Sequence, residues 1–369
     1  MRSGPFRVAL ATSFTFATGI LIPLSLRASD EIVPSKTDLL QHAQAAFAVL
    51  PTQYSLTLHT HRNGGGFHAW QRFVTVSSLV EYESASGDGR FSSLARALLA
   101  DRHGLDGNDD FLWVAEAALD MAAVMTDKLS QQHAIQDAET IFKQIATQYW
   151  DETCGGGVWW DHARTYKNAI TNELFLDVAA RLRNVTGSSD YKNWAERTWR
   201  WFSESGMISP SHAVNDGLNH HCHNNGGPPY SYNQGVVLDA LLHLFAITGK
   251  KPLLDEATRI AEEALAAGTT QGNGFREAEV PMTVDSQIFR GIFVRALGHL
   301  VLALPPGPER AHLSSWLQDE SRALWKNRFQ QAHFNATWEK APQQPSAQAQ
   351  ITAANLFVAA ASLPNDATQ

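Results

Sequence analysis

Two adjacent carboxyl groups stand at the start of a predicted helix, in the run Asn108-Asp109-Asp110. Apolar residues follow at alternating steps of four and three, the spacing of a buried helical stripe: Phe111, Ala115, Ala118, Ala122 and Met125. Two like charges this close cannot both ionise easily, so the pKa of one carboxyl should rise. Such a pair can supply a general acid and a nucleophile or base. The alternative is structural, because Asn and Asp are favoured helix N-caps.

The rest of the chain predicts helix after helix, with almost no alternating β-branched stretch. Twelve helices are predicted, with Gly and Pro breakers between several of them: 37–61, 67–87, 93–102, 109–127, 133–150, 166–184, 190–205, 231–248, 251–267, 285–303, 308–328 and 346–362.

These helices alternate in character. Segment 251–267 is amphipathic, whereas 231–248 is apolar nearly all round, and a helix of the second kind must be surrounded by protein. About six pairs of one outer and one inner helix describe a closed all-α toroid, the (α/α)6 barrel. An open solenoid of helix pairs is the structural alternative. No proline-rich or charge-rich linker divides the chain, so residues 29–369 are predicted to form a single catalytic domain.

Polar residues collect at the starts of the predicted inner helices. If these helices run parallel around a ring, their starts meet on one rim, above an apolar barrel floor, and form a pocket. The second to fourth inner helices place these residues there: Asn108 with the Asp pair; Tyr166, Lys167, Asn168, Asn172 and Glu173; Tyr232, Asn233 and Gln234. The fifth begins with Asp285-Ser286-Gln287 and the sixth with Ser346 to Gln350. His68 is read as a helix-surface residue, with the rim as the alternative.

The Gly-rich loop from Gly155 to Asp161 carries two indoles, Trp159 and Trp160. An indole face can stack on the C–H face of a sugar ring, although at least one of the two is expected to pack into the core. Hydrolysis of a glycosidic bond requires a carboxylate and a carboxylic acid across the anomeric carbon. Consecutive residues at a helix start can place their carboxyl groups about 5–5.5 Å apart, which suits a retaining double displacement.

The N-terminus indicates export. Arg2 and Arg7 precede an apolar run from Val8 to Leu26, and Ala28 precedes Ser29-Asp30-Glu31, which is the order of a cleaved signal peptide, residues 1–28. A membrane anchor is the alternative. Cleavage would remove three arginines and no acid, and would move the formal charge from -8 to about -11. Such a chain disfavours nucleic acid and anionic lipid as partners, and no membrane association is expected after cleavage. A monomer is expected by default.

The chain has two cysteines, Cys154 and Cys222, each in a Gly-rich loop. In an exported protein they can form a disulfide; the alternative is two unrelated thiols.

Four segments in this order resemble glycoside hydrolase family 76, the α-1,6-mannanases: Asn108-Asp109-Asp110; Gly155 to Asp161 followed by Tyr166 to Leu174; Tyr232 to Val236; and Phe289 to Arg295. The resemblance covers roughly residues 40–360. It implies an (α/α)6 barrel that cleaves α-1,6-linked mannan or mannooligosaccharides internally with retention. It also implies Asp109 as the nucleophile and Asp110 as the general acid/base. No cofactor or metal is expected. The fungal relatives end in a hydrophobic lipid-anchor signal, and the polar residues 364–369 predict none here.

Four other interpretations stay open. A transglycosidase would share the covalent intermediate and pass the mannan chain to another sugar. The loop His220-His221-Cys222-His223, which is not typical of the family, raises a metal-dependent enzyme, although consecutive His residues point apart and favour a solvated loop. A non-catalytic mannan-binding protein would bind without turnover. A different (α/α) barrel enzyme, such as an epimerase or lyase, is the fourth, since fold does not fix chemistry.

Overall fold

The computed structural model describes residues 34–53, 67–268, 276–330, 332–338 and 346–364. The predicted signal peptide lies outside the described residues. The described chain is helical, with short 3-10 turns at Gly89–Phe91 and Thr153–Gly155. Its α-helices are α1 Lys36–Ala48, α2 Leu50–Gln53, α3 Ala69–Ser86, α4 Ser92–Ala100, α5 Asn108–Val124, α6 Lys128–Gln148, α7 Ala169–Thr186, α8 Ser189–Glu204, α9 Ser231–Thr248, α10 Lys251–Gly268, α11 Ser286–Ala303, α12 Pro308–Asn327 and α13 Ala347–Ala361.

Six inner helices form a closed ring. Helices α3, α5, α7, α9, α11 and α13 each pack against the next in this order, and α13 packs against α3. On the outside, α4, α6, α8 and α10 pack on α3, α5, α7 and α9 in turn, α12 packs on α11 and α13, and α1 packs on α13 and α3. This is the (α/α)6 barrel, so the predicted fold class is confirmed. The closing contact between α13 and α3 is what separates a barrel from an open solenoid.

The helix boundaries differ from the predictions where a local residue decides them. The first predicted helix, 37–61, breaks after Ala48, because Pro51 has no N–H and its ring would clash with the preceding turn; residues 54–61 of that prediction lie outside the described residues. Helix α6 begins five residues early, since the Asp127 side chain accepts the Ser130 N–H at 2.8 Å. Helix α7 begins at Ala169, because Asn168 is its N-cap and accepts the Thr171 N–H.

The barrel floor is ionic, and the expectation of an apolar floor was wrong. Arg295 of α11 reaches across the ring to Glu116 of α5 at 2.6 Å. The two ring nitrogens of His299 lie 2.8 Å from Asp239 and 3.0 Å from Glu81. Buried ions of opposite sign compensate one another's desolvation, so the interior tolerates them. The sequence carries a signal for this network, because four inner helices hold polar residues one turn apart on one face: 116 and 120, 177 and 181, 239 and 243, 295 and 299.

Among the helices described, none combines the length and the apolar character needed to cross a membrane.

Candidate active site

A cavity of about 350 Å³ lies at the N-terminal ends of the inner helices. Helix starts and the loops before α7 and α9 supply its lining, which is His68, Ala69, Trp70, Gly104, Asp106, Asp109, Asp110, Trp113, Trp160, Tyr166, Asn168, Asp216, Tyr232, Asp285 and Phe289. The polar rim predicted from the helix starts therefore encloses a pocket. The sixth start contributes from below, where the buried Gln348 donates to the Gln71 side chain at 2.9 Å.

The first turn of α5 places both carboxyl groups of the Asp pair on this cavity. Asp109 Oδ1 accepts the N–H of Asp110 at 3.0 Å, and its Oδ2 accepts the indole N–H of Trp160 at 3.0 Å. Asp110 Oδ2 accepts the N–H of Asp106 at 2.9 Å. Gly107 precedes the helix with φ +86°, and a Cβ there would lie 2.8 Å from Asp109 Oδ1. The close approach of backbone to carboxylate thus requires glycine at this position.

Both Asp109 and Asp110 are removed from solvent, and this burial raises the pKa of each carboxyl group. For Asp109, the hydrogen bonds from Asp110 and Trp160 oppose burial and favour the ionised form. For Asp110, the charge of Asp109 adds to burial and raises the pKa further. Asp110 therefore holds its proton more strongly than Asp109 does, which favours Asp109 as the carboxylate of the pair and Asp110 as the acid.

A third carboxylate, Asp216, lines the cavity from the loop before α9. It accepts the Tyr166 hydroxyl at 2.5 Å, and that hydroxyl accepts the Asn225 amide N–H at 2.7 Å. Burial raises the pKa of Asp216, while the Tyr166 hydrogen bond opposes the shift. A Cβ on Gly217 would lie 2.4 Å from the Tyr166 oxygen, so the small residue after Asp216 admits the phenol. Sequence reasoning missed Asp216, and the glycine after it is the one local signal.

His68 and Asp285 meet at the first and fifth inner helix starts. His68 Nδ1 lies 2.6 Å from Asp285 Oδ1, which also accepts the Trp70 indole N–H at 3.0 Å. The hydrogen bond to Asp285 raises the pKa of His68. The alternative placement of His68 on the rim is therefore what the structure shows. Behind this pair is an aromatic wall of Trp70, Trp113, Tyr232 and Phe289, in which Tyr232 stacks on Phe289 at 3.9 Å.

Two of the predicted binding residues, Asn172 and Gln234, do not line the cavity but form hydrogen bonds to the backbone of loops. The buried amide of Asn172 accepts the Val158 N–H at 2.7 Å and donates to the Val158 carbonyl at 3.0 Å. Gln234 makes the same two-bond contact with Val214, at 2.8 and 2.7 Å. Val158 lies two residues before Trp160, and Val214 lies two residues before Asp216; both later residues line the cavity. The two amides therefore position the two loops that complete the site.

Three further predicted residues hold the Gly-rich loop. The buried Lys167 ammonium donates to Asp151 Oδ1 at 2.9 Å and to the carbonyls of Thr153 and Gly156 at 2.7 Å. Trp159 turns away from the cavity and donates to Asp151 at 2.8 Å, with Lys167 Nζ 4.7 Å from its ring centre. The buried Asn108 amide donates to the Trp159 carbonyl at 2.7 Å. Of the two indoles, Trp160 is the one in the cavity, with 40% of its surface exposed.

The last two predicted residues lie beneath the site. Glu173 is fully buried on α7, its carboxyl has no hydrogen-bond partner among the described residues, and burial raises its pKa well above the usual range. Asn233 is fully buried on α9, next to Asp216. Neither side chain lines the cavity.

Cys154 and Cys222 form a disulfide, as one of the two sequence readings expected. It joins the loop before α7 to the loop before α9. Cys222 is therefore not available as a thiolate ligand within the His220-His221-Cys222-His223 run. Within the described ranges, no cluster of three or more His, Cys, Asp or Glu side chains has the arrangement of a metal site.

The chain matches a known family over nearly all of the described domain. The family model for glycosyl hydrolase family 76 matches residues 42–368. Mannan endo-1,6-alpha-mannosidase DCW1 of Eremothecium gossypii is 26% identical over 335 residues, which cover 81% of this chain and 73% of that protein. DCW1 of Candida glabrata is 30% identical over 201 residues, 51% of this chain and 44% of the relative, so less than half of its length is matched.

A solved structure shares the fold. It is an inactive variant of the alpha-1,6-mannanase GH76A of Salegentibacter sp. HEL1_6, with two consecutive aspartates changed to asparagine, in complex with alpha-1,6-mannotriose. The TM-score is 0.75 at 20% identity, and the match covers 89% of this chain and 99% of that chain.

Proposed function

This chain belongs to glycoside hydrolase family 76 and is a glycosidase, and from that premise we propose that it cleaves internal α-1,6-mannosidic bonds of mannan with retention of configuration. One observation carries the proposal: two neighbouring carboxyl groups, Asp109 and Asp110, face the same cavity at the open end of the barrel, and the pKa of Asp110 is raised further than that of Asp109. The named activity of the relatives and the consecutive aspartates of the inactive mannanase support it.

In the first step Asp110 donates its proton to the glycosidic oxygen while an Asp109 oxygen attacks the anomeric carbon. The bond from that carbon to the leaving sugar breaks, and a mannosyl ester of Asp109 forms. In the second step the ionised Asp110 takes a proton from water, the water oxygen attacks the anomeric carbon, and the ester bond breaks. Asp109 leaves as a carboxylate and Asp110 is protonated again, so the pair returns to its starting state.

The remaining lining groups suit a neutral sugar chain. The Asp216 carboxylate, oriented by Tyr166, can accept hydrogen bonds from sugar hydroxyls. The exposed Trp160 and the wall containing Trp70 and Phe289 offer apolar faces to the C–H face of a pyranose ring. Several polar groups converge on one apolar wall, which is the usual composition of a ligand site.

We further propose that the protein is exported, with residues 1–28 as a cleaved signal peptide, and acts as a monomer. The disulfide between Cys154 and Cys222 supports export, because disulfides persist in oxidising compartments.

The test is incubation of the purified protein with linear α-1,6-mannan, followed by product size and by proton NMR of the first anomer released. We expect mannooligosaccharides with α configuration. Asp109→Asn and Asp110→Asn should each abolish release while leaving the circular dichroism spectrum unchanged. A first product of β configuration would refute retention, and full activity in either variant would refute the residue roles. An added sugar acceptor in the same assay separates hydrolysis from transfer, because transfer yields lengthened products.

A further inference from the structure

We propose that Trp160 is a positioning residue for the nucleophile, whose indole N–H holds the Asp109 carboxylate in its attacking orientation. The inference rests on the proposed function, in which Asp109 attacks the anomeric carbon. It assigns to Trp160 a second task besides that of a stacking surface for sugar.

Three hydrogen bonds join the segment Trp159-Trp160 to the start of α5, two of them through Trp160 itself. Its indole N–H donates to Asp109 Oδ2 at 3.0 Å, and its carbonyl accepts the Asn108 N–H at 2.8 Å. The preceding carbonyl, that of Trp159, accepts the Asn108 side-chain amide at 2.7 Å. The loop is thus fixed to Asn108, the residue directly before Asp109, by two hydrogen bonds besides the one to the carboxylate.

The loop that carries the Trp160 indole is held in place by several hydrogen bonds. The backbone N–H of Trp160 donates to the Tyr166 carbonyl at 2.7 Å, and the Asn172 amide makes two hydrogen bonds to the backbone of Val158, two residues before Trp160. Lys167 holds the Gly156 carbonyl of the same loop at 2.7 Å. Because the donor is pre-organised before substrate arrives, it orients the nucleophile at little entropic cost during the reaction.

The indole also compensates for crowding by acids. Asp106 and Asp110 face Asp109 from its own chain segment, and Tyr232, Asp216, Asp285 and His68 face the same cavity from the other elements. A hydrogen bond to the charged form favours ionisation, whereas burial and the neighbouring carboxylates oppose it. Without the Trp160 N–H, the pKa of Asp109 should therefore rise.

The experiment compares Trp160→Phe, Trp160→Ala and Trp159→Phe with the wild type. Trp160→Phe keeps a ring for stacking and removes the donor. We expect kcat on α-1,6-mannooligosaccharides to fall about tenfold at neutral pH with KM little changed, and the acid limb of the kcat/KM profile to move up by about one pH unit, since a charge-assisted hydrogen bond is lost. Trp160→Ala should lose the same factor in kcat and raise KM as well.

Trp159→Phe is the matched control, because it removes the neighbouring indole N–H, which binds Asp151. Its thermal stability can fall, but its acid limb should stay at the wild-type position. If Trp160→Phe keeps the wild-type profile and kcat while Trp160→Ala raises KM, the ring acts only as a sugar surface and the inference is wrong.

A second measurement needs no turnover. Carbon-13 NMR of labelled Asp carboxyls gives the pKa of Asp109 in Asp110→Asn and in the same variant with Trp160→Phe. An upward shift of about one unit supports the inference even if wild-type protein fails to cleave mannan, which would overturn the proposed function alone. No shift would overturn the inference alone.

Discussion

Gly107→Ala should impair the reaction far more than it impairs folding. Gly107 has φ +86° and ψ 160°, a region that is essentially restricted to glycine, so alanine costs roughly 1–3 kcal/mol of stability. The added Cβ would lie 2.8 Å from Asp109 Oδ1 and 3.3 Å from Trp160 Nε1. To reach ordinary contact, the carboxylate must move by about half an ångström or more. A misplacement of about 1 Å in a reacting group can cost about a hundredfold in rate, so we expect kcat to fall between about tenfold and a hundredfold.

The assay is kcat on α-1,6-mannooligosaccharides beside a thermal melt, with Gly87→Ala as the matched control. Gly87 ends α3 with φ +71°, and a Cβ there meets nothing within 4 Å. Gly87→Ala should therefore lower the melting temperature by a few degrees, at about 2 °C per kcal/mol, and leave kcat at the wild-type value. If Gly107→Ala melts at a lower temperature but keeps wild-type kcat, the placement of Asp109 does not depend on the close approach at this glycine.

Three further outcomes are expected. Burial and the charge of Asp109 raise the pKa of Asp110 above its usual 3.8, so the folded protein loses stability as the pH rises through the pKa of Asp110 in the folded state. Asp110→Asn cannot ionise at this position, so it should melt at a higher temperature than the wild type, by a margin that widens between pH 4.5 and 8. A margin that is constant over this range would contradict the prediction. The disulfide closes a separation of 68 residues and should contribute about 4 kcal/mol, so a reductant should lower the melting temperature of the wild type but not of a variant with serine at Cys154 and Cys222. Lys167→Met leaves buried acceptors unpaired and should lower the free energy of unfolding by roughly 3 kcal/mol, as measured by chemical denaturation. Lys143→Met, at an exposed ion pair, should change it by no more than about 0.5 kcal/mol. Equal effects of the two substitutions would refute the structural role of the Lys167 ammonium.

The fold was predictable because helical amphipathicity is a local property. The contrast between an all-round apolar 231–248 and a one-sided 251–267 identifies an inner and an outer helix without any knowledge of neighbours. Boundaries failed where one residue overrides the pattern, as Pro51 does in the first predicted helix. The ionic floor was missed because a charged residue in a mostly apolar helix is tolerated only when a partner across the ring compensates it, and such a partner can be far away in the sequence. Arg295 and Glu116 are 179 residues apart.

The site was predictable to the extent that it lies at helix starts. Asp109, Asp110, Asn168 and Tyr232 line the cavity from helix starts, whereas Trp160 and Tyr166 line it from the loop before α7. Residue type did not reveal which polar groups face the cavity and which face the loops. Asn172 and Gln234 have amide side chains that could bind sugar hydroxyls, yet these amides form their hydrogen bonds with the backbone of Val158 and Val214.

The sequence by itself determined the helical hairpins, the family and the adjacent acids, because each is written in a local run of residues or in the order of such runs. Only the tertiary structure decided which loops complete the cavity, that Asp216 joins the Asp pair there, and that Trp160 donates to Asp109. The physical reason is that a hydrogen bond and a burial depend on distances between segments far apart in the chain, and those distances exist only once the ring has closed.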